Sequence, residues 1–113
     1  MKIIHKNQTE QFKNSENCIA TEYPMSDKDI NGAVVELTGR YPEKGRVVNL
    51  KCKELVYVIK GYGMVIIEDK ELKLEEGDLV LIEPGERYFF DGNLTIFIAC
   101  NPAWHNNQYK EAE

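Results

Sequence analysis

The chain has 113 residues, of which 42% are hydrophobic and 29% charged, and a net charge of −5. This is the composition of a globular chain, not of a disordered or fibrous one, and the interspersed acids and bases leave no basic stripe to hold a nucleic acid. No apolar run approaches the roughly 20 residues that cross a bilayer, and Met1 to Lys13 holds no apolar stretch of signal-peptide length, so a cytoplasmic protein without a membrane partner is expected.

A chain of this length buries roughly two-thirds of its unfolded surface, enough to form a core without disulfides or a structural metal. Cys18, Cys52 and Cys100 are odd in number and show no Cys-x-x-Cys spacing. They read as buried, inert thiols.

Residues 1–32 form an N-terminal arm in which Ser26-Asp27-Lys28-Asp29 is suited to cap a short helical turn. From Ala33 onward, β-rich runs alternate with Gly, Pro, Asp and Asn at the rhythm of a sandwich or barrel. Strands are predicted over Ala33 to Arg40, Val47 to Lys51, Glu54 to Lys60, Met64 to Glu68, Glu71 to Leu74, Asp78 to Glu83, Arg87 to Phe90 and Leu94 to Cys100. Gly61-Tyr62-Gly63, Asp69-Lys70, Pro84-Gly85 and Asp91-Gly92 supply the turns between them. The tail, 101–113, is read as peripheral, with a second helical turn in His105 to Glu113. The whole chain, 1–113, reads as one all-β domain with its barrel core at about 33–100.

Two stretches carry a family resemblance. Glu54-Leu-Val-Tyr-Val-Ile-Lys-Gly61 and Gly77-Asp-Leu-Val-Leu-Ile-Glu-Pro-Gly85 resemble the two sequence motifs of the cupins, with the variable region of that family between them. The resemblance covers about half the chain and implies a double-stranded β-helix, a jelly-roll barrel. It also implies four metal-ligand positions, three histidines and a glutamate, which fall here on Val48, Leu50, Tyr88 and Glu54. One carboxylate and a phenol do not make a site for a first-row metal at neutral pH, so neither metal nor other cofactor is expected. A shift of one or two residues in the loop before Glu54 would bring Asn49 or Cys52 into the site instead. His5 and His105, the only histidines, lie outside the motif strands.

On this register Glu54 and Tyr88 face the barrel interior as a polar pair, candidates for ligand binding or for acid-base catalysis. Phe90, Val48 and Leu50, with Val56 and Val58, would line an apolar cavity around them. Arg40, Tyr41, Pro42, Trp104 and His105 flank the strands, where they serve either a rim or packing. Three readings stay open: a metal-free barrel binding a small polar metabolite such as a sugar or carboxylate; an enzyme, either a sugar isomerase or epimerase or a metal enzyme with rearranged ligands; and a dimeric scaffold or regulatory module. Homodimerisation is expected, because a small barrel leaves strand edges to cover.

Overall fold

The computed structural model describes residues 1–113. Nine strands form one curled antiparallel sheet: β1 (Glu10–Ser15), β2 (Cys18–Glu22), β3 (Asn31–Thr38), β4 (Arg46–Asn49), β5 (Lys53–Ile67), β6 (Lys70–Glu75), β7 (Leu79–Ile82), β8 (Arg87–Asn101) and β9 (Tyr109–Ala112). The only helical pieces are 3-10 turns at Lys6–Gln8 and Asn106–Gln108. No helix is long and apolar enough to cross a membrane.

Two long strands organise the barrel. β5 and β8 pair from Lys53 opposite Asn101 to Ile67 opposite Tyr88. The first half of β5 also pairs with β7 and its second half with β6, while β8 pairs with β4 near its start and with β3 from Asn93 onward. Each long strand therefore passes from one layer of the roll into the other. The layers are β6-β5-β8-β4-β9 and β7-β5-β8-β3-β2-β1. Alternation along the strands turns Val56, Val58, Val65, Ile82, Phe90, Leu94 and Ile96 inward, and these buried side chains make the core.

The structure corrects several expectations. Gly61-Tyr62-Gly63 and Asp91-Gly92 do not end strands: they pair, with Gly63 opposite Gly92, and mark where both long strands bend between layers. Gly61 has φ +94, and a Cβ there would lie 2.1 Å from the Asn93 carbonyl oxygen. The glycines permit close backbone approach inside continuous strands instead of forming loops. The hairpin after β5 turns at Glu68-Asp69, one residue earlier than expected. The N-terminal arm is not peripheral, because β1 and β2 extend one layer. Residues Ser26 to Asp29 form no helical turn, and the helical reading of the tail holds only for Asn106–Gln108, after which β9 pairs with β4.

Gly61→Ala should cost at least about 2 kcal/mol, since strain at positive φ adds to a backbone clash. Gly77→Ala has a similar φ of +93 but nothing within 4 Å of the added methyl, and should cost less, about 1 kcal/mol. Urea unfolding of both variants reads the difference.

Candidate functional site

Glu54 enters β5 on its inward face and is only 5% exposed. Its strand partner is Cys100, whose thiol lies 3.8 Å from Oε2. Its main contact comes from across the barrel, where the Tyr88 hydroxyl donates to Oε1 at 2.8 Å over 34 residues of sequence. Tyr88 pairs with Ile67 at the far end of the β5–β8 ladder, in the other layer. The bend at Gly63 and Gly92 folds that ladder over, so that its two ends meet through their side chains.

A cavity of about 330 Å³ lies against this pair. Phe90 lines it, as expected, and packs edge-on to Tyr88 at 5.7 Å between ring centres. Tyr41 and Tyr109 share a hydrogen bond of 3.2 Å on its wall, and Trp104 meets the Tyr109 ring at 5.4 Å. The volume and the mostly apolar wall with a few convergent polar groups are those of a small-ligand site.

Two expected lining residues fall elsewhere. Leu50 is 54% exposed, on the surface. Val48 is buried but lies on the opposite side of β4 from Val47, which packs in the core beneath Tyr88. The cause is the loop between β4 and β5. There the Leu50 N–H donates to the Gln108 carbonyl, and those of Lys51 and Cys52 both donate to the Gln108 side-chain oxygen. Consecutive donors bound to one residue break the two-residue alternation, and the inward positions of β4 become Val47 and Asn49. Of the two residues that a shifted register would turn inward, Asn49 is the buried one on β4, although it does not line the cavity. Val56 and Val58 point inward but belong to the packed core, not to the cavity wall.

At the rim, Tyr41 and Trp104 line the cavity, whereas Arg40, Pro42 and His105 do not. The Arg40 guanidinium donates to the Gly45 carbonyl at 2.9 Å and stacks 3.9 Å over the Phe89 ring. His5 and His105 are exposed and stand before the two 3-10 turns. Sequence reasoning missed Glu10 and Glu22, which face each other across β1 and β2 and line the same cavity. The available signal was Cys18, Ala20 and Glu22 on alternate residues, an inward face in a segment read as an arm.

Burial dominates the electrostatics. It raises the Glu54 carboxyl above its ordinary range, against the opposing pull of the Tyr88, Asn49 and Cys100 donors. Burial and the adjacent Glu54 carboxyl push Tyr88 well up, so it stays a neutral hydroxyl. Glu22 is raised by burial and then by Glu10. Cys18 is pushed up to about 11, and burial likewise raises Cys52 and Cys100. All three are free, buried thiols, held in the unreactive protonated form.

The cupin metal finds no matching donor set here. No three His, Cys, Asp or Glu side chains converge. The inward positions on β4 carry a valine and an amide, Tyr88 stands in place of an imidazole, and the Glu54 oxygens are engaged by Tyr88 and Cys100.

The two bent strands, the paired layers and the interior site define a cupin-type barrel. The cupin domain profile matches residues 51–95, and the fold of the chain is a barrel of that type. No curated protein matches it by sequence. Among solved structures, the Streptomyces nucleoside dehydratase Pac13 superimposes with a TM-score of 0.90 at 17% identity, covering 100% of this chain and 92% of that one. A variant of that protein with uridine gives 0.90 at 18%, covering 100% and 91%. An RmlC-like cupin from Shewanella frigidimarina gives 0.72 at 16%, covering 88% of each chain. These likenesses establish the fold.

The raised Glu54 carboxyl has a consequence for stability. A proton retained in the folded state favours folding at low pH, and that benefit is lost as pH rises from the ordinary 4.5 through the raised value. Urea unfolding of the native protein should show stability falling through this window, and Glu54→Gln should flatten most of the fall.

Proposed function

We propose that the barrel binds a small, uncharged, ring-bearing metabolite of the nucleoside class in its interior without a metal, using Glu54 and Tyr88 as polar anchors. The observation that carries this reading is the Tyr88–Glu54 hydrogen bond of 2.8 Å at the wall of a 330 Å³ cavity that is otherwise mostly apolar. Tyr41, Trp104 and Tyr109 offer ring faces to a planar base. The ionisable side chains of known sign on the wall are the carboxyls Glu10, Glu22 and Glu54, with no Lys, Arg or His among them. An anion entering this space would meet carboxyls and no counter-ion, so of a sugar and a carboxylate the wall suits the sugar. The full-length likeness to a nucleoside dehydratase, seen in variants with uridine, supports the same ligand class.

Titration calorimetry on chelator-treated protein tests this reading. Uridine should bind with a micromolar Kd, and uridine monophosphate at least about tenfold more weakly. Tyr88→Phe and Glu54→Gln should each weaken uridine binding by about tenfold or more. Absence of uridine binding up to millimolar concentration, or equal binding by both variants, overturns it.

A second reading, acid-base chemistry on the bound ligand, is favoured by the burial that raises the Glu54 carboxyl, the direction that suits a general acid. Mass spectrometry after incubation with nucleosides reads it: loss of water that depends on Glu54 supports chemistry, and unchanged nucleosides leave a binding module.

A further inference from the structure

Asn49 is 1% exposed, and its Nδ2 is the one buried side-chain nitrogen or oxygen that lacks a hydrogen-bond partner. The orientation of this amide is fixed by its neighbour. Gln108 Oε1 already accepts the Lys51 and Cys52 N–H groups at 3.2 Å each, so Gln108 meets Asn49 with its nitrogen and donates to Asn49 Oδ1 at 2.8 Å. Flipping Asn49 would set two amide nitrogens against each other. The Nδ2 group is therefore held away from Gln108. It faces the Glu54 carboxyl, close enough to favour its ionised form, yet makes no hydrogen bond of ordinary geometry. A buried donor left unmade is costly, and such a group needs a reason.

We propose that Asn49 is a positioning residue for Glu54, its free N–H held by Gln108 in readiness for the ionised carboxylate. With Glu54 neutral, Tyr88 and Cys100 donate to its two oxygens and the amide donor waits. When Glu54 gives up its proton, the carboxylate gains a third donor, and the amide gains its missing acceptor. The other ionisable groups around Glu54 are Cys52 on the loop before β5, Tyr88 and Cys100 on β8, Tyr41 on the loop before β4 and Tyr109 on β9, with Glu22 of β2 acting on Cys100. None of them is a cation, so hydrogen-bond donors are what can stabilise the charge. The inference concerns the same carboxyl as the proposed binding reading but rests on the ligand-free geometry, and its test needs no ligand.

The test is direct titration of Glu54 by carboxyl carbon NMR on carbon-13 glutamate-labelled protein, assigned with Glu54→Gln. Asn49→Leu removes the waiting donor and should raise the Glu54 midpoint by about one pH unit, a tenfold change in its ionisation constant. The deleted nitrogen has no partner, but the deleted Oδ1 leaves the Gln108 side-chain N–H with only its 3.3 Å contact to the His105 carbonyl, so folding of the variant is checked first. Gln108→Met, which releases the amide to turn, should shift the midpoint in the same direction and serves if Asn49→Leu does not fold. An unchanged Glu54 midpoint in either folded variant overturns the proposal. Absence of uridine binding by the native protein, with the shift present in the variants, would instead count against the ligand reading alone.

A separate observation lies on the outer surface. Leu55, Tyr57 and Ile59 of β5, Leu79 and Leu81 of β7 and Phe97 of β8 are 39% to 62% exposed. The register sets Leu55 beside Leu81, and Tyr57 between Leu79 and Phe97, so the six form one outward face. Together they present on the order of 600 Å² of apolar side chain, the upper end of what a monomer exposes and most of the roughly 800 Å² per partner in a standard interface. The Lys53–Glu83 ion pair, 3.8 Å long, stands beside this strand pair as a polar rim would. We infer that this face is covered by a second copy of the chain. Sedimentation at about 100 µM should show two copies for the native protein, and one copy for Tyr57→Glu with Leu81→Lys, or for Leu79→Glu should the double variant aggregate. A native protein that sediments as one copy, or folded variants that remain paired, overturns it.

Discussion

The pairing of β5 with β8 along their full length is the constraint on which the rest of the barrel depends. The two fifteen-residue strands pair from end to end with one register shift between Val58 and Lys60, and the ladder bends where Gly63 lies opposite Gly92. A side chain on either would press against the opposite backbone, since a Cβ on Gly92 would stand 2.5 Å from the Gly63 Cα. Without that close approach the strands would continue as one flat ribbon and their inward faces would never oppose each other. Every other strand except β1, β2, β6, β7 and β9 pairs directly with β8, and β6 and β7 hang on β5. The bend therefore orients both layers.

The site is a product of the same geometry. Glu54 and Tyr88 stand near opposite ends of the ladder, and folding the ladder over brings a carboxyl and a phenol into contact in the interior. Their seclusion then governs their chemistry. Burial raises the Glu54 carboxyl and keeps Tyr88 neutral, where an exposed pair would differ little from free side chains. The positions that the cupin resemblance assigns to metal ligands carry a hydrogen-bonded Glu54–Tyr88 pair here, with valine, amide and thiol around it.

Much of the site depends on elements with weak sequence signals. Glu10 and Glu22 lie on strands whose residues do not alternate cleanly, because β1 is an exposed edge strand and only Cys18 and Ala20 of β2 are buried. Gln108 sits in a 3-10 turn of the tail, and its hold on three consecutive backbone N–H groups is what displaces Leu50 from the interior and admits Asn49. Such a contact spans 57 residues of sequence and leaves no periodic trace.

The sequence by itself determined the all-β barrel and the inward placement of Glu54, Tyr88 and Phe90, because alternation along a strand is a local property. Only the tertiary structure decided that the two glycine segments are bends within strands, that the N-terminal arm lines the cavity, and that Asn49 replaces Leu50 beside the carboxyl. Each of these is fixed by contacts between segments far apart in the chain, and a local pattern carries no record of which partner a backbone group will find.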